Sequence, residues 1–94
     1  MTREDIESVV VEVLTGVVAA VGAEMPPLDD DTKPIGTLPH FDSVLAEDTT
    51  VEVFRLLGLD ADLDVNPFIK DERPATLREV VGRLYSLVTG GGHV

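Results

Sequence analysis

At 94 residues the chain has room for one domain with a single modest core, a size at which folding buries a smaller share of the surface than in larger proteins. Its 18 acidic residues against 7 basic ones give a formal charge of −11, which argues against nucleic acid or anionic membrane as partners and for proteins with basic docking faces. Without cysteine there is no disulfide framework, thiolate metal site or thiol nucleophile.

The first predicted helix runs from Thr2 to Val21, with apolar residues at Ile6, Val9, Val10, Val13, Leu14, Val17 and Val21 in the three-and-four spacing of one face. Thr2 can cap it, with Asp5 at the third position as a weak form of the capping box, and Gly22 ends it. Its many valines lower helix propensity, so the helix depends on burying that stripe. Val9-Val10-Val11 is followed at once by Glu12 and preceded by Arg3-Glu4-Asp5, which lacks the basic leader of a signal peptide. No segment reaches membrane-spanning length, and the expected location is the cytoplasm.

Gly22 to Phe41 is a long connection in which Pro26, Pro27, Pro34 and Pro39 prevent a regular helix. Leu28, Ile35, Leu38 and Phe41 are spaced along it as apolar anchors. The second helix is predicted from Asp42 to Leu57, with Asp42 as N-cap and Ser43 at the first helical position, its hydroxyl outward. Leu45, Thr49, Val53 and Leu57 would face the core, with Ala46, Thr50 and Leu56 beside them. Val44 and Val51 fall on another face with Glu47, Asp48 and Glu52. That face reads either as a docking surface or as ordinary solvent-exposed valines among acids.

Gly58 opens a second connection with Asp60, Asp62, Asp64, Pro67 and Pro74 along it, in which Pro67-Phe68-Ile69 reads as one short turn of helix. Thr76-Leu77-Arg78-Glu79 matches the capping box, and Leu77, Val80, Val81, Leu84 and Val88 form the apolar face of a last long helix. It should stop near Thr89, since Gly90-Gly91-Gly92 cannot hold a helix. The domain is thus residues 1–89, with 90–94 a flexible tail. The expected fold is all-α, a four-helix bundle of three long helices and one short one, with a long loop between the first and second helices.

Ser43 has no machinery of a nucleophile. A catalytic serine needs a base and an orienting group, whereas His40 is three residues away across a proline-bearing loop and no glycine-rich nucleophile elbow is present. His93 falls in the tail. Neither acidic cluster makes a calcium loop: Asp60, Asp62 and Asp64 alternate correctly, but Val65 replaces the turn glycine and the bidentate glutamate is missing. Asp29-Asp30-Asp31 has Pro34 in the glycine position. What remains is a site of attachment, because a phosphate ester on Ser43 would meet the unpaired N–H groups and positive dipole end of the second helix.

Asp42-Ser43 with apolar Val44, followed by Val51-Glu52-Val53, resembles the attachment site of the acyl and peptidyl carrier proteins. The long proline-bearing loop upstream, the Thr76–Val81 helix start downstream and the acidic balance extend the resemblance over most of the chain. It implies a discrete carrier that is not itself an enzyme. A separate phosphopantetheinyl transferase, using its own magnesium, would move 4′-phosphopantetheine from coenzyme A to Ser43, beside Asp42. The thiol of that arm would then hold an acyl, polyketide or aminoacyl intermediate as a thioester. Loading and elongating enzymes with basic surfaces would dock on Val44, Glu47, Asp48, Val51 and Glu52 of a monomer. The family's short third helix would fall at Val65, Phe68 and Ile69. A second connection longer than in fatty-acid carriers points to specialised biosynthesis, polyketide or nonribosomal. The chain departs from the family at His40, where glycine commonly stands, at Val44 in place of leucine, and at Arg55 in a stretch that is often acidic. The alternative from another class is an unmodified adaptor that binds a partner through the acidic second helix.

Overall fold

A computed structural model describes residues 1–59 and 65–90. The elements are α1 (Arg3–Ala20), a one-turn α2 (Pro34–Thr37), α3 (Ser43–Leu57), a ribbon of β1 (Ile69–Lys70) and β2 (Arg73–Pro74), and α4 (Leu77–Val88). Helix α1 packs against both α3 and α4, which approach each other much less. No helix among the described residues is long and apolar enough to cross a membrane.

The all-α four-helix bundle is therefore corrected in two places. The second connection holds an antiparallel ribbon instead of a short helix, with Ile69 opposite Pro74 and Lys70 opposite Arg73. The local chemistry explains why. Asn66 Oδ1 accepts the Phe68 N–H at 3.1 Å, an Asx turn with Pro67 at its corner, and Pro74 holds Arg73 in extended backbone. The buried Phe68 ring then fixes the segment, and its carbonyl accepts the Ala75 N–H at 2.8 Å. Asp71 and Glu72 turn the ribbon with φ of 51° and 63°, the positive-φ pair whose twist suits a two-residue hairpin.

The other correction concerns the short helix, which lies in the first connection and is one turn long. Leu38 N–H donates to Pro34 O at 3.1 Å, while Ile35 (φ −71°, ψ 119°) and Gly36 (φ 99°, ψ −21°) have the dihedrals of a type II turn. Only glycine takes the second of those positions without cost.

The long helices form where their stripes predict, with small rotations. Thr2 and Asp5 make a full capping box at the start of α1, with both reciprocal bonds present. The buried residues of α1 are Ile6, Val10, Val13, Leu14 and Val18; Val9 and Val17 are half-buried and Val21 is exposed. In α3, Ala46, Thr49, Thr50, Val53, Phe54 and Leu57 are buried, while Leu45 is half-buried and Leu56 is exposed. The buried Thr49 and Thr50 hydroxyls donate to the carbonyls of Leu45 and Ala46 at 2.8 and 2.7 Å, so neither polar group is orphaned. Gly58 ends α3 in left-handed backbone (φ 74°), and Leu59 N–H closes the end on Phe54 O at 2.8 Å.

The first connection is ordered by α4. The Leu77 and Arg78 N–H groups, which a helix N-terminus leaves without partners, donate to Thr32 O at 2.7 Å and Asp30 O at 3.0 Å. Pro34, Leu38 and Phe41 are buried, and Leu28 and Ile35 half-buried, so the expected anchors hold the loop to the core. At this same end of α4, Thr76 and Glu79 form the predicted capping box, and Lys70 Nζ reaches Glu79 Oε2 at 3.2 Å. The loop containing Asp60, Asp62 and Asp64, and most of the glycine tail with His93, lie outside the described residues.

Candidate functional site

The N-terminus of α3 is set by two buried aromatic rings. Phe41 meets Phe68 edge to face, with ring centres 5.4 Å apart and planes at 72°, which ties the end of the first connection to the start of the ribbon. Between buried Leu38 and buried Phe41 the chain reverses through His40, whose φ is 59°. Asp42 then adopts extended backbone, and its Oδ1 accepts the Leu45 N–H at 2.9 Å. Ser43 follows as the first residue of α3, exposed to solvent.

This geometry leaves a defined set of donors. Asp42 satisfies the third N–H of the helix, and the carbonyl of Asp42 takes the Ala46 N–H at 2.9 Å. The N–H groups of Ser43 and Val44 come before the first intrahelical bond and point out along the axis, beside the Ser43 hydroxyl. An anion carried on that oxygen would be favoured there by about 0.3–1 kcal/mol from the helix dipole. His40 is exposed and belongs to the turn that enters the helix.

The outer face of α3 has the exposure expected of it, apart from Glu52. Val44 is 67% exposed and Val51 52%, with exposed Glu47 and Asp48 alongside. Glu52 is half-buried, and Arg55 one turn on donates to it through Nε at 3.1 Å. That hydrogen bond lowers the Glu52 pKa and raises that of Arg55, so the pair is ionised together and largely self-neutralised. Glu47 and Asp48 make no ion pair among the described residues.

Sequence reasoning missed a groove of about 410 Å³ between α1 and α3, open to solvent. Gly16, Val17 and Ala20 form its α1 wall, Leu45 and Leu56 its α3 wall, with Glu12, Asp48 and Glu52 also lining it. The available signal was Gly16, a residue without a side chain in the middle of a helix.

The Asp29-Asp30-Asp31 cluster has a structural role. Asp29 Oδ1 accepts from the Asp31 N–H and the Thr32 hydroxyl at 2.9 and 3.1 Å, which shapes the turn whose carbonyls cap α4. Arg78 lies 3.6 Å from Asp30 and 4.0 Å from Asp31. Among the described residues no group of three His, Cys, Asp or Glu side chains is placed to hold a metal ion.

The chain matches no family model, and neither the curated proteins nor the solved structures give a match to it.

Proposed function

We propose that this chain is a carrier whose Ser43 accepts 4′-phosphopantetheine and whose arm then holds an acyl, polyketide or aminoacyl group as a thioester. The observation that carries this reading is the exposed Ser43 hydroxyl at the start of α3, beside two open N–H groups and behind a cap that Asp42 has already filled. The serine oxygen attacks the phosphate bearing pantetheine in coenzyme A, and the adenosine bisphosphate leaves. The phosphodiester formed keeps its negative charge at the positive end of the helix. The transferase supplies the base and the magnesium for this step, and the carrier supplies the nucleophile and its position.

Backbone conformation at His40 is a second support. Carrier sequences commonly have glycine at that position, and the left-handed φ of 59° there is one that glycine adopts without strain. The departure is thus a change of side chain at a turn whose geometry suits the family residue. The ribbon in the second connection does not enter the proposal, which rests on the start of α3. In this role the chain works in the cytoplasm as a shuttle between enzymes, with Val44, Asp48 and Val51 the residues nearest to hand for docking.

The test is an intact-mass measurement after incubation with coenzyme A and a broad-specificity phosphopantetheinyl transferase. The wild type gains the mass of the arm and Ser43→Ala gains nothing, whereas Ser8 and Ser86, within helices, stay unmodified. An unmodified wild type would favour the adaptor reading, and a Ser43→Ala chain that still gained the arm would place the attachment elsewhere.

A further inference from the structure

We propose that the groove between α1 and α3 is the docking site for a basic amphipathic helix of a partner protein. This goes beyond the attachment site, since Ser43 does not line the groove, although Asp48 and Glu52 are shared with the docking face expected of a carrier.

Gly16 forms part of the α1 wall of the groove. A glycine inside a helix costs about 1 kcal/mol relative to alanine, so its place in the middle of α1 needs a reason. Nothing among the described residues supplies one. A Cβ built on Gly16 would meet no heavy atom within 4 Å, and its φ is not of the kind that requires glycine. The missing side chain therefore accommodates no neighbour among the described residues, and it leaves the α1 wall without a side chain beside half-buried Val17 and exposed Ala20. Facing it, Leu56 on α3 is 46% exposed, with half-buried Leu45 about three turns earlier on the same flank. These are the contacts an incoming apolar stripe would fill.

Charge decides the occupant. Among the described residues, the ionisable side chains lining the groove are Glu12 on α1 and Asp48 and Glu52 on α3, all acidic and on both walls. Glu52 is matched by Arg55, which leaves Glu12 and Asp48 for an incoming cation. A second copy of the chain would bring acid against acid across a two-fold axis, with −11 on each partner. An anionic membrane is repelled on the same ground. A small molecule is poorly served, because tight small-ligand sites enclose about 70–90% of the ligand and this groove is open. A helix with an apolar stripe flanked by lysine or arginine matches both the floor and the rims, and laying such a helix in a groove is a common mode of recognition.

The experiment uses the full, unmodified chain and a synthetic helical peptide of about 18 residues, five turns, with leucine on one stripe and lysine on its flanks. Titration followed by amide chemical shifts is expected to move Gly16, Val17 and Leu56. A scrambled peptide of the same composition should bind at least about tenfold more weakly, a difference of about 1.4 kcal/mol, as should a peptide with glutamate for lysine. Gly16→Met fills the groove with a good helix former and should raise the thermal midpoint while weakening the peptide about tenfold or more. Asp48→Lys should weaken it without closing the groove. Ser43→Ala should leave binding unchanged, which keeps this test separate from that of the attachment site. The proposal is overturned if the groove amides do not shift, if the scrambled peptide binds equally well, or if Gly16→Met binds like the wild type. Sedimentation showing a wild-type dimer that Gly16→Met dissolves would give the groove to a second copy instead.

Discussion

At the scale of single residues, His40, three residues before Ser43, matters through its backbone. Left-handed φ in a residue with a Cβ costs roughly 1–2 kcal/mol, less for His than for most, and His40 at 59° carries that strain with its side chain in solvent. Replacing it by glycine removes the strain but gives the unfolded chain more freedom, worth about 0.5–1 kcal/mol in the other direction. We expect His40→Gly to be neutral to about 1 kcal/mol stabilising, and His40→Val to destabilise, since a β-branched side chain suits left-handed backbone least. Urea denaturation of the two variants measures this, and a valine variant as stable as the glycine one would mean the turn is free to relax. None of it could be read from the sequence, where His40 is only a solvated loop residue. The cap at Asp42 and the position of Ser43 could be read, because Asp followed by an unbroken run without Gly or Pro specifies a helix start by local chemistry alone.

At the scale of elements, the helices were legible and their rotation was not. A stride of four residues advances about 400° where a full turn is 360°, so a stripe drawn through Leu45, Thr49, Val53 and Leu57 drifts by about 40° a step. The fold corrects the drift by burying Phe54 and Ala46 and leaving Leu45 and Leu56 towards the groove. The same effect in α1 brings in Val18 in place of Val21. The consequence for stability is specific: Phe54→Ala should cost about 3–5 kcal/mol and Leu57→Ala about 2–5, as large-to-small core changes do. Val51→Ala and Leu56→Ala should each cost under about 1 kcal/mol, being on the surface. Chemical denaturation of the four variants ranks them, and a Leu56→Ala penalty comparable to that of Phe54→Ala would contradict the observed rotation. The ribbon escaped the sequence for a different reason. Its turn, Asp71-Glu72, has no glycine to announce positive φ, and its strands are two residues each, held by Asn66, Phe68 and Pro74 more than by any alternating pattern.

At the scale of the whole molecule, the ribbon and α4 are joined through one carboxylate, and that union should be lost in acid. Glu79 accepts the Thr76 N–H at 2.9 Å and lies 3.2 Å from Lys70 Nζ, and these contacts, the Thr76 hydrogen bond foremost, lower its pKa from 4.5 to about 2. A carboxylate with a lower pKa folded than unfolded binds fewer protons in the native state, so stability falls as pH falls. The contribution is whole above about pH 4.5 and is lost progressively down to about pH 2. Asp5, held by Thr2 at the start of α1, and Glu52, held by Arg55, are lowered too and act in the same direction. Opposing them is the charge of −11, since protonating the remaining carboxylates relieves self-repulsion over the same range. The wild-type profile is thus a sum of opposite terms, but the difference between wild type and Glu79→Gln isolates one of them. Glutamine keeps the oxygen that accepts from Thr76 and gives up the charge that Lys70 requires. We expect the variant to be less stable at pH 7 and the gap in urea midpoint to close as pH falls from about 4.5 towards 2. High salt should narrow the gap at pH 7, because Lys70 is exposed and its attraction is screened. A gap that stayed constant from pH 7 to pH 2 would show that Glu79 acts only as a neutral cap, and that the link between ribbon and helix rests on the buried Phe68 instead.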